Sequence, residues 1–329
     1  MRLSAAALLA GWLLALSADG APAPARPRPS VTFDQRGYVR VATWAKVDKL
    51  EVRWLEREKV LQLRSRNATL VLRVNSKEAT VNGTSVWLCH PVLGGDNGAV
   101  YVSSADVELT FGPLLSPPRR RPGMRIATVC IDAGHGGKDP GNRVGTREEK
   151  AYTLALAHEL RSQMEKAGFR VVMTRAKDTF IDLDDRPVIA ARRKADLLIS
   201  VHFNAGGAGN TTAQGTETFC LTLPGAPSTN AGGEGVTRTS FQGNRFNAYN
   251  MLLAYQVQRA LLRQVKSEDR GVRRARFAIL RGATMPAVLV EAGFMSHPGE
   301  GRRIASSAYR RDVARAITSA VVEYKRLVN

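Results

Sequence analysis

Cysteine is scarce in this chain of 329 residues, which contains only Cys89, Cys130 and Cys220. Their number is odd, and their spacing matches neither a zinc motif nor a redox motif, so the sequence offers no cysteine-based metal or redox site. Cys130 and Cys220 lie in apolar, strand-like runs, which favours buried small hydrophobic residues. One disulfide bond is the alternative.

Long apolar segments are also lacking, except at the N-terminus. Arg2 precedes an apolar run over residues 3–16, and small residues follow it, which is the layout of a secretory signal. The run is shorter than the roughly 20 apolar residues of a membrane span. We therefore expect residues 1–20 to be a signal peptide. The mature protein is then exported to the periplasm or cell wall, without stable membrane insertion; an uncleaved anchor is the alternative.

Acidic residues are in short supply as well. The chain has 29 Asp and Glu against 48 Lys and Arg, a formal net charge of +19, which predicts attraction to a polyanion. With an export signal, the predicted partners are acidic envelope polymers and not nucleic acid. Apart from the run at 119–121, the basic residues are scattered. The charge therefore indicates general attraction and not a particular site.

Proline and glycine divide the rest of the chain into two regions. Residues 112–123 (GPLLSPPRRRPG) are rich in proline and charge and lack apolar periodicity, which predicts a linker. Residues 30–111 contain short β-like runs separated by turn sequences such as VNGT and GGDNG, which predicts a small, largely β accessory domain. Residues 124–329 form the second predicted domain.

Strand-like and helical patterns alternate after residue 124. Several strand-like runs are apolar without alternation, which is typical of strands covered on both faces. We therefore predict an α/β domain with a mostly parallel, twisted sheet and helices on both faces. The predicted strands are 126–132, 169–174, 196–202, 217–221, 277–280 and 287–293, and the predicted helices are 150–167, 248–266 and a C-terminal helix capped by Ser306 or Ser307.

Three of the predicted strands end in residues that can bind metals or transfer protons. The first strand leads into GHGG with His135, the third ends in SVHFNA with His202, and the last ends in VEAG with Glu291. Ligands of open α/β sheets bind at the carboxyl ends of the strands, so these side chains should meet at one edge. Glu148 and Glu149 begin a helix near the same edge.

Two histidines and a carboxylate are the protein ligands of many catalytic zinc sites, which leave one position for water. A second carboxylate, which is not a ligand, is then needed to accept the proton of that water. Glu291 suits this role because it lies in the apolar stretch AVLVEAGF, where an unpaired carboxylate is costly. The residues therefore predict a metallohydrolase and leave its substrate open.

Simpler interpretations apply to several neighbouring features. The glycine loop could form a phosphate nest, but GHGGKDPG has neither Walker spacing nor G-x-G-x-x-G spacing. His158, in the middle of a predicted helix, is interpreted as structural, and His297 as a candidate residue of the pocket rim. Arg175, Asp178 and Arg186 are expected to form ion pairs that tie loops down.

Four segments in this order, IDAGHGGKDPG, REEKAYTLALA, DLLISVHFNA and MPAVLVEAGFMSHP, resemble the zinc-dependent N-acetylmuramoyl-L-alanine amidases of the third amidase family. The resemblance covers roughly residues 125–328. It implies hydrolysis of the amide that joins the lactyl group of N-acetylmuramic acid to the first L-alanine of the peptidoglycan stem. Peptidoglycan is then the main partner of the protein.

The same resemblance implies the roles of individual residues. The Zn²⁺ ligands are then His135, Glu149 and His202, and the catalytic glutamate is Glu291. Glu149 is preferred to Glu148 because EKAYTLALA aligns with the helix start of the family. The N-terminal stretch VNGTSVWLCHPVLGGDNGAVYV loosely resembles the copper amine oxidase-like N-terminal domain. It carries no nameable copper ligands and is a candidate wall-binding module.

The sequence departs from the family in two short stretches and in one long one. Ala133 stands where a proline is common, and FMSH replaces FLSN. Residues 222–247 form an insertion near the place where some relatives carry an autoinhibitory helix. Its Gly, Ser, Thr and Asn content predicts a loop, which we hypothesise to line or gate the groove. The alternatives to an amidase are another metallohydrolase, such as a peptidase or sugar deacetylase, and an inert wall-binding protein.

Overall fold

The computed structural model describes residues 37–120, 124–207, 209–230 and 232–328. The predicted signal peptide, residues 1–20, lies outside the described residues. No helix within the described ranges combines the length and the apolar character that crossing a membrane requires.

Strands predominate in the first part of the described chain, and strands alternate with helices in the second. The strands are β1 (Tyr38–Arg40), β2 (Glu51–Glu56), β3 (Val60–Arg64), β4 (Thr69–Arg73), β5 (Glu78–Val81), β6 (Thr84–Trp87), β7 (Leu93–Gly94), β8 (Val100–Ser103), β9 (Thr128–Ala133), β10 (Arg143–Val144), β11 (Arg147–Glu148), β12 (Arg170–Met173), β13 (Leu197–Asn204), β14 (Thr216–Leu221), β15 (Asp269–Ala275) and β16 (Ala287–Phe294). The α-helices are α1 (Val41–Asp48), α2 (Ser104–Asp106), α3 (Gly112–Leu115), α4 (Glu149–Lys166), α5 (Asp185–Arg192), α6 (Asn247–Val265), α7 (Ala278–Arg281), α8 (Pro298–Ala305) and α9 (Ser307–Val328).

One sheet of eleven strands runs through both parts of the chain, in the order β12-β9-β13-β16-β14-β15-β6-β5-β4-β3-β2. Strands β12, β9, β13 and β16 are parallel to one another, and β14 is antiparallel to β16. Strands β2 to β6 form an antiparallel meander, which joins β15 through Val86 and Val272. The predicted α/β architecture with a β-rich N-terminal region is confirmed.

Alternate residues of the central strands are buried on opposite faces of this sheet. On one face, Ile131, Ile199 and Val290 belong to the large core that includes residues of α4, α6 and α9. On the other face, Cys130 and Leu198 belong to a smaller core that includes residues of α5 and α7. Because both faces are covered, these strands are apolar without alternation, as the sequence predicted.

The predicted long helices are confirmed, with boundaries that differ by one or two residues. Ser306 caps α9, because its Oγ accepts a hydrogen bond from the backbone nitrogen of Tyr309 at 3.2 Å. Val313, Ile317 and Val321 lie on the buried face of α9, as the apolar spacing predicted.

The predicted strand at 277–280 is wrong. These residues lie mostly in the short helix α7, and the strand in this part of the chain is β15, seven residues with three arginines. Arg274 is fully buried and donates to the carbonyl oxygens of Leu221 at 3.1 Å and Leu109 at 2.8 Å. Because the charged residues of β15 are covered by partners, its sequence lacks the apolar pattern of a buried strand.

The N-terminal region packs directly against the second region. The Trp87 indole donates to the carbonyl oxygen of Arg270 at 3.0 Å, and the backbone nitrogen of Ser85 donates to the Asp269 carboxylate at 2.7 Å. Within the predicted linker, α3 is helical and contacts α6, and residues 121–123 lie outside the described residues. The division of the chain into domains stays a prediction.

Tyr324, on the buried face of α9, allows a test of how an unpaired buried hydroxyl affects the stability of the protein. Its hydroxyl is buried and has no hydrogen-bond partner among the described residues, so Tyr324→Phe should raise the free energy of unfolding by about 1 kcal/mol. Tyr255 is also buried, but its hydroxyl donates to the Val81 carbonyl at 3.0 Å. Tyr255→Phe should therefore lower the free energy of unfolding by about 1 kcal/mol. Urea unfolding of both variants measures the contrast, and equal effects would contradict it.

Candidate functional site

The glycine loop after β9 presents His135 at the edge of the sheet. His135 has a φ of 62°, in the left-handed region. Its Nδ1 lies 2.8 Å from Asp139 Oδ2, and its Nε2 lies 3.0 Å from Glu149 Oε2. A Cβ atom on Gly134 would overlap the imidazole ring of His202. Glycine at position 134 therefore allows the two histidine rings to lie close together.

Glu149, the first residue of α4, is fully buried between these histidines. One carboxylate oxygen contacts His135, and the other lies 3.0 Å from His202 Nδ1 and accepts from the backbone nitrogen of Phe203 at 3.0 Å. Burial raises the pKa of Glu149, but the hydrogen bonds to both histidines outweigh burial and hold this pKa well below its usual range. The carboxylate is therefore ionised when the histidines are its neighbours.

Glu291 lies beside His202 on the neighbouring strand. The two residues are register partners in the parallel pair of β13 and β16, and both line the same cavity as His135 and Glu149. Glu291 Oε2 is buried and has no hydrogen-bond partner in the described part of the chain. Burial raises the pKa of Glu291 well above its usual value, and the negative charges of Glu149 and Glu217 raise it further.

Arginine side chains hold the backbone of the glycine loop in place. Arg186 pairs with the buried Asp132 carboxylate at 3.0 Å and donates to the carbonyl oxygen of His135 at 2.9 Å. Arg175 donates to the carbonyl oxygen of Gly134 at 2.7 Å. The expected ion pairs are thus present at Arg186 and also at Asp178, which contacts Lys150, whereas Arg175 binds carbonyl oxygens instead.

The cavity at the site has a volume of about 270 Å³ and a lining of mixed chemistry. The histidines, Glu149 and Glu291 contribute polar groups, and Leu183, Phe277, Ile279 and Leu289 contribute apolar ones. A cleft of this kind can hold a substrate that has both polar and apolar groups.

The described residues of the 222–247 insertion do not line this cavity. Thr229 is instead tied to β15, since its carbonyl oxygen accepts from Arg273 at 2.6 Å. Phe241 packs against the apolar cluster that includes Phe277. The described residues of the insertion therefore do not line this cavity, and the hypothesis that the insertion gates the groove stays a prediction.

The other two histidines singled out in the sequence lie outside the cavity. A ring nitrogen of His158 lies 3.1 Å from the Ala176 carbonyl oxygen, in agreement with a structural role. His297 caps α8 by accepting from the backbone nitrogen of Glu300 at 3.2 Å. Its predicted position at the pocket rim is therefore wrong.

His135, Glu149 and His202 form a group that could hold a metal ion, because one ligand atom from each lies within 4.8 Å of the others. Tetrahedral zinc, with bonds of about 2.0–2.2 Å, separates neighbouring ligand atoms by about 3.3 Å. The two contacts between a histidine nitrogen and a Glu149 oxygen measure 3.0 Å. The donor atoms therefore have the chemistry and nearly the spacing that zinc requires.

Two residues of the site were missed in the sequence. Asn142 holds Glu149 Oε2 through its backbone nitrogen at 3.0 Å and its side-chain amide at 2.9 Å. Asp139 orients His135 through Nδ1, which leaves Nε2 directed toward Glu149. Both follow His135 in the same glycine loop. The i, i+4 spacing of His135 and Asp139 was the available signal.

Comparisons with known proteins agree with this architecture. The family described as N-acetylmuramoyl-L-alanine amidase matches residues 129–323, and the copper amine oxidase N-terminal domain matches residues 18–115. The chain is 34% identical over 259 residues to the amidase AmiC of Neisseria meningitidis serogroup B, covering 71% of this chain and 61% of that protein. It is 31% identical over 233 residues to the amidase AmiA of Escherichia coli K12, covering 64% of this chain and 80% of that protein.

Solved amidase structures match about three fifths of the chain. An N-acetylmuramoyl-L-alanine amidase from Clostridium difficile 630 has a TM-score of 0.50 and 35% identity, covering 60% of this chain and 96% of that structure. AmiC2 of Nostoc punctiforme has a TM-score of 0.52 and 29% identity, covering 62% of this chain and 99% of that structure. The family match spans more than half of the chain and includes all the residues of the cavity. The chain therefore belongs to the N-acetylmuramoyl-L-alanine amidase family of enzymes.

Proposed function

We propose that this chain is an exported, zinc-dependent amidase that hydrolyses the bond between N-acetylmuramic acid and L-alanine in peptidoglycan. One observation carries the proposal. A cluster of two histidines and a buried carboxylate shares a cavity with Glu291, whose Oε2 atom has no hydrogen-bond partner among the described residues. A metal-dependent hydrolase needs such a ligand set together with a separate acid–base group.

His135, Glu149 and His202 are the residues that would hold the zinc ion. Bound zinc supplies a polarised water molecule, whose pKa falls to about 7. Asp139 directs His135 Nε2 toward the cluster, and Asn142 fixes the orientation of the Glu149 carboxylate. These contacts keep the ligand atoms in position before any ion binds.

Glu291 is the proposed proton carrier. Glu291 lines the cavity, and its Oε2 atom has no hydrogen-bond partner among the described residues, so this oxygen is free to accept a hydrogen bond from a water molecule. A carboxylate whose pKa is raised by burial is a stronger base than an exposed one. Glu291 would accept a proton from the attacking water and then deliver it to the departing nitrogen of L-alanine.

The adjacent glutamates at the start of α4 allow a matched test of the metal site. The side chain of Glu149 is buried in the cluster, whereas Glu148 is partly exposed and pairs with Arg143 at 2.9 Å. Glu149→Gln should lower zinc affinity by at least about tenfold, since it removes one charged ligand. Glu148→Gln should bind zinc as the unaltered protein does. Competition with a chromogenic chelator measures both affinities, and equal loss in the two variants would reject the choice of ligand.

Digestion of purified peptidoglycan tests the reaction itself. The protein should release intact stem peptides and leave glycan with free lactyl groups, and a zinc chelator should abolish the release. Mass spectrometry of the products identifies the bond. Cleavage within the stem peptide would indicate a peptidase, and loss of acetyl groups a deacetylase. The absence of any product from zinc-loaded protein would favour an inert wall-binding protein.

The variant Glu291→Gln separates the acid–base role from metal binding. It should retain zinc and the unfolding temperature of the unaltered protein while losing at least about 10²-fold of the turnover rate. Full turnover by this variant would overturn the role of Glu291.

The proposal extends to the other parts of the chain. Residues 1–20 would direct export to the periplasm or cell wall, residues 30–111 would form the accessory domain, 112–123 the linker and 124–329 the catalytic domain. The net charge of +19 supports a salt-sensitive attraction to acidic envelope polymers.

A further inference from the structure

A segment beside the cavity, residues 178–185, packs against the glycine loop, and we call it the cleft rim. The Asp178 carboxylate accepts from the backbone nitrogen of Gly137 at 2.7 Å and from Lys150 at 2.9 Å. A Cβ atom on Gly136 would collide with the carbonyl oxygen of Thr179. Only glycine allows this close approach of two backbones, so the position of the rim is set by the same loop that carries His135.

This ordered rim nevertheless exposes large apolar side chains. Phe180 is 37% exposed and Leu183 is 63% exposed, and Val188 in the following helix is 39% exposed. Leu183 lines the cavity of the site, and Phe180 lines an adjoining cleft of about 350 Å³. Exposed apolar residues grouped beside a cleft are typical of a ligand-binding surface.

The negative charge of the rim favours the glycan half of the substrate over the stem peptide. Its sequence, DTFIDLDD, has four aspartates and no basic residue, in a chain with a net charge of +19. Lys150 neutralises Asp178 and Arg281 lies 4.0 Å from Asp184, whereas Asp182 and Asp185 are exposed and form no ion pair among the described residues. The stem peptide carries free carboxylates, which these aspartates would repel. The glycan is uncharged where its lactyl groups are in amide linkage, and its hydroxyl groups can donate to carboxylates.

An aromatic and aliphatic rim also suits a sugar. The ring faces and acetyl groups of the glycan carry C–H groups, which can pack on Phe180 and Leu183, while Asp182 can accept hydrogen bonds from hydroxyls. Lys138 covers one face of the Phe180 ring, with its Nζ 4.3 Å from the ring centre, and the Phe180 side chain remains 37% exposed. Apolar contact and acceptor groups are therefore combined on one fixed surface.

We propose that the cleft rim is the glycan subsite and binds the sugar chain on the lactyl side of the scissile amide. The rim follows β12, at one end of the sheet order, and the strands that carry His202 and Glu291 lie between β12 and β14 in that order. The stem peptide then extends toward β14. This inference rests on the proposed function, since it assigns the two halves of that substrate to the two sides of the cavity.

Binding of peptide-free glycan strands whose lactyl carboxylates have been converted to primary amides, so that the strands are uncharged there as in intact peptidoglycan, tests the subsite without requiring turnover. The double variant Phe180→Ala/Leu183→Ala should bind these strands at least about tenfold more weakly, a change of about 1.4 kcal/mol. Its affinity for free stem peptide should be unchanged. Val236→Ala is the matched control, because Val236 has the same 63% exposure as Leu183 and does not line the cavity. This control should bind glycan as tightly as the unaltered protein.

Isothermal titration calorimetry measures both affinities, and unfolding temperatures confirm that the variants are folded. The single variant Leu183→Ala, which changes only an exposed side chain, gives the same comparison if the double variant is unstable. Unchanged glycan affinity in the variants, or no glycan binding by the unaltered protein, would overturn the subsite. A selective loss of stem-peptide affinity would show that the orientation is reversed. Failure of the proposed function is a separate result, because it appears as uncleaved peptidoglycan.

Discussion

The buried carboxylate of Glu149 is the group around which the site is organised. A charge removed from water is costly unless it is paired and hydrogen-bonded. Here both histidines, the backbone and side chain of Asn142, and the backbone of Phe203 surround it. These partners come from the glycine loop after β9 and from β13, so satisfying one carboxylate brings α4 and these two strands together. Any change that moves α4 would therefore also separate the histidines.

The alternation of side chains between the two faces of the sheet determines which of them can share the cavity. Residues two apart on a strand lie on the same face, so Asp132, Ser200, His202 and Glu291 all lie on the face that carries the smaller core. The large core, with its three long helices, occupies the other face. The polar side chains of the site thus lie on the face that is covered by the short helices α5 and α7. The long helices α4, α6 and α9 pack on the opposite face.

The sequence predicts the central strands and most of the candidate site because apolar strands and strand-end residues are local patterns. His135, His202 and Glu291 could be brought together from the rule that strand ends meet at one edge. The choice between Glu148 and Glu149 could not be made from the pattern alone, since it depends on how the chain enters α4. Strand β15 was also missed, because its arginines are satisfied by carbonyl and carboxylate partners that are distant in sequence.

The pairing of β6 with β15 also bears on the solubility and folding of the protein. Without this pairing, β15 would be an edge strand with unpaired backbone groups, which can pair with another molecule and cause aggregation. The N-terminal meander moves the free edge to β2, where five of six residues are exposed and three are charged. Charges on an edge strand oppose pairing between molecules. The N-terminal region therefore protects the sheet from self-association, whatever ligand it binds.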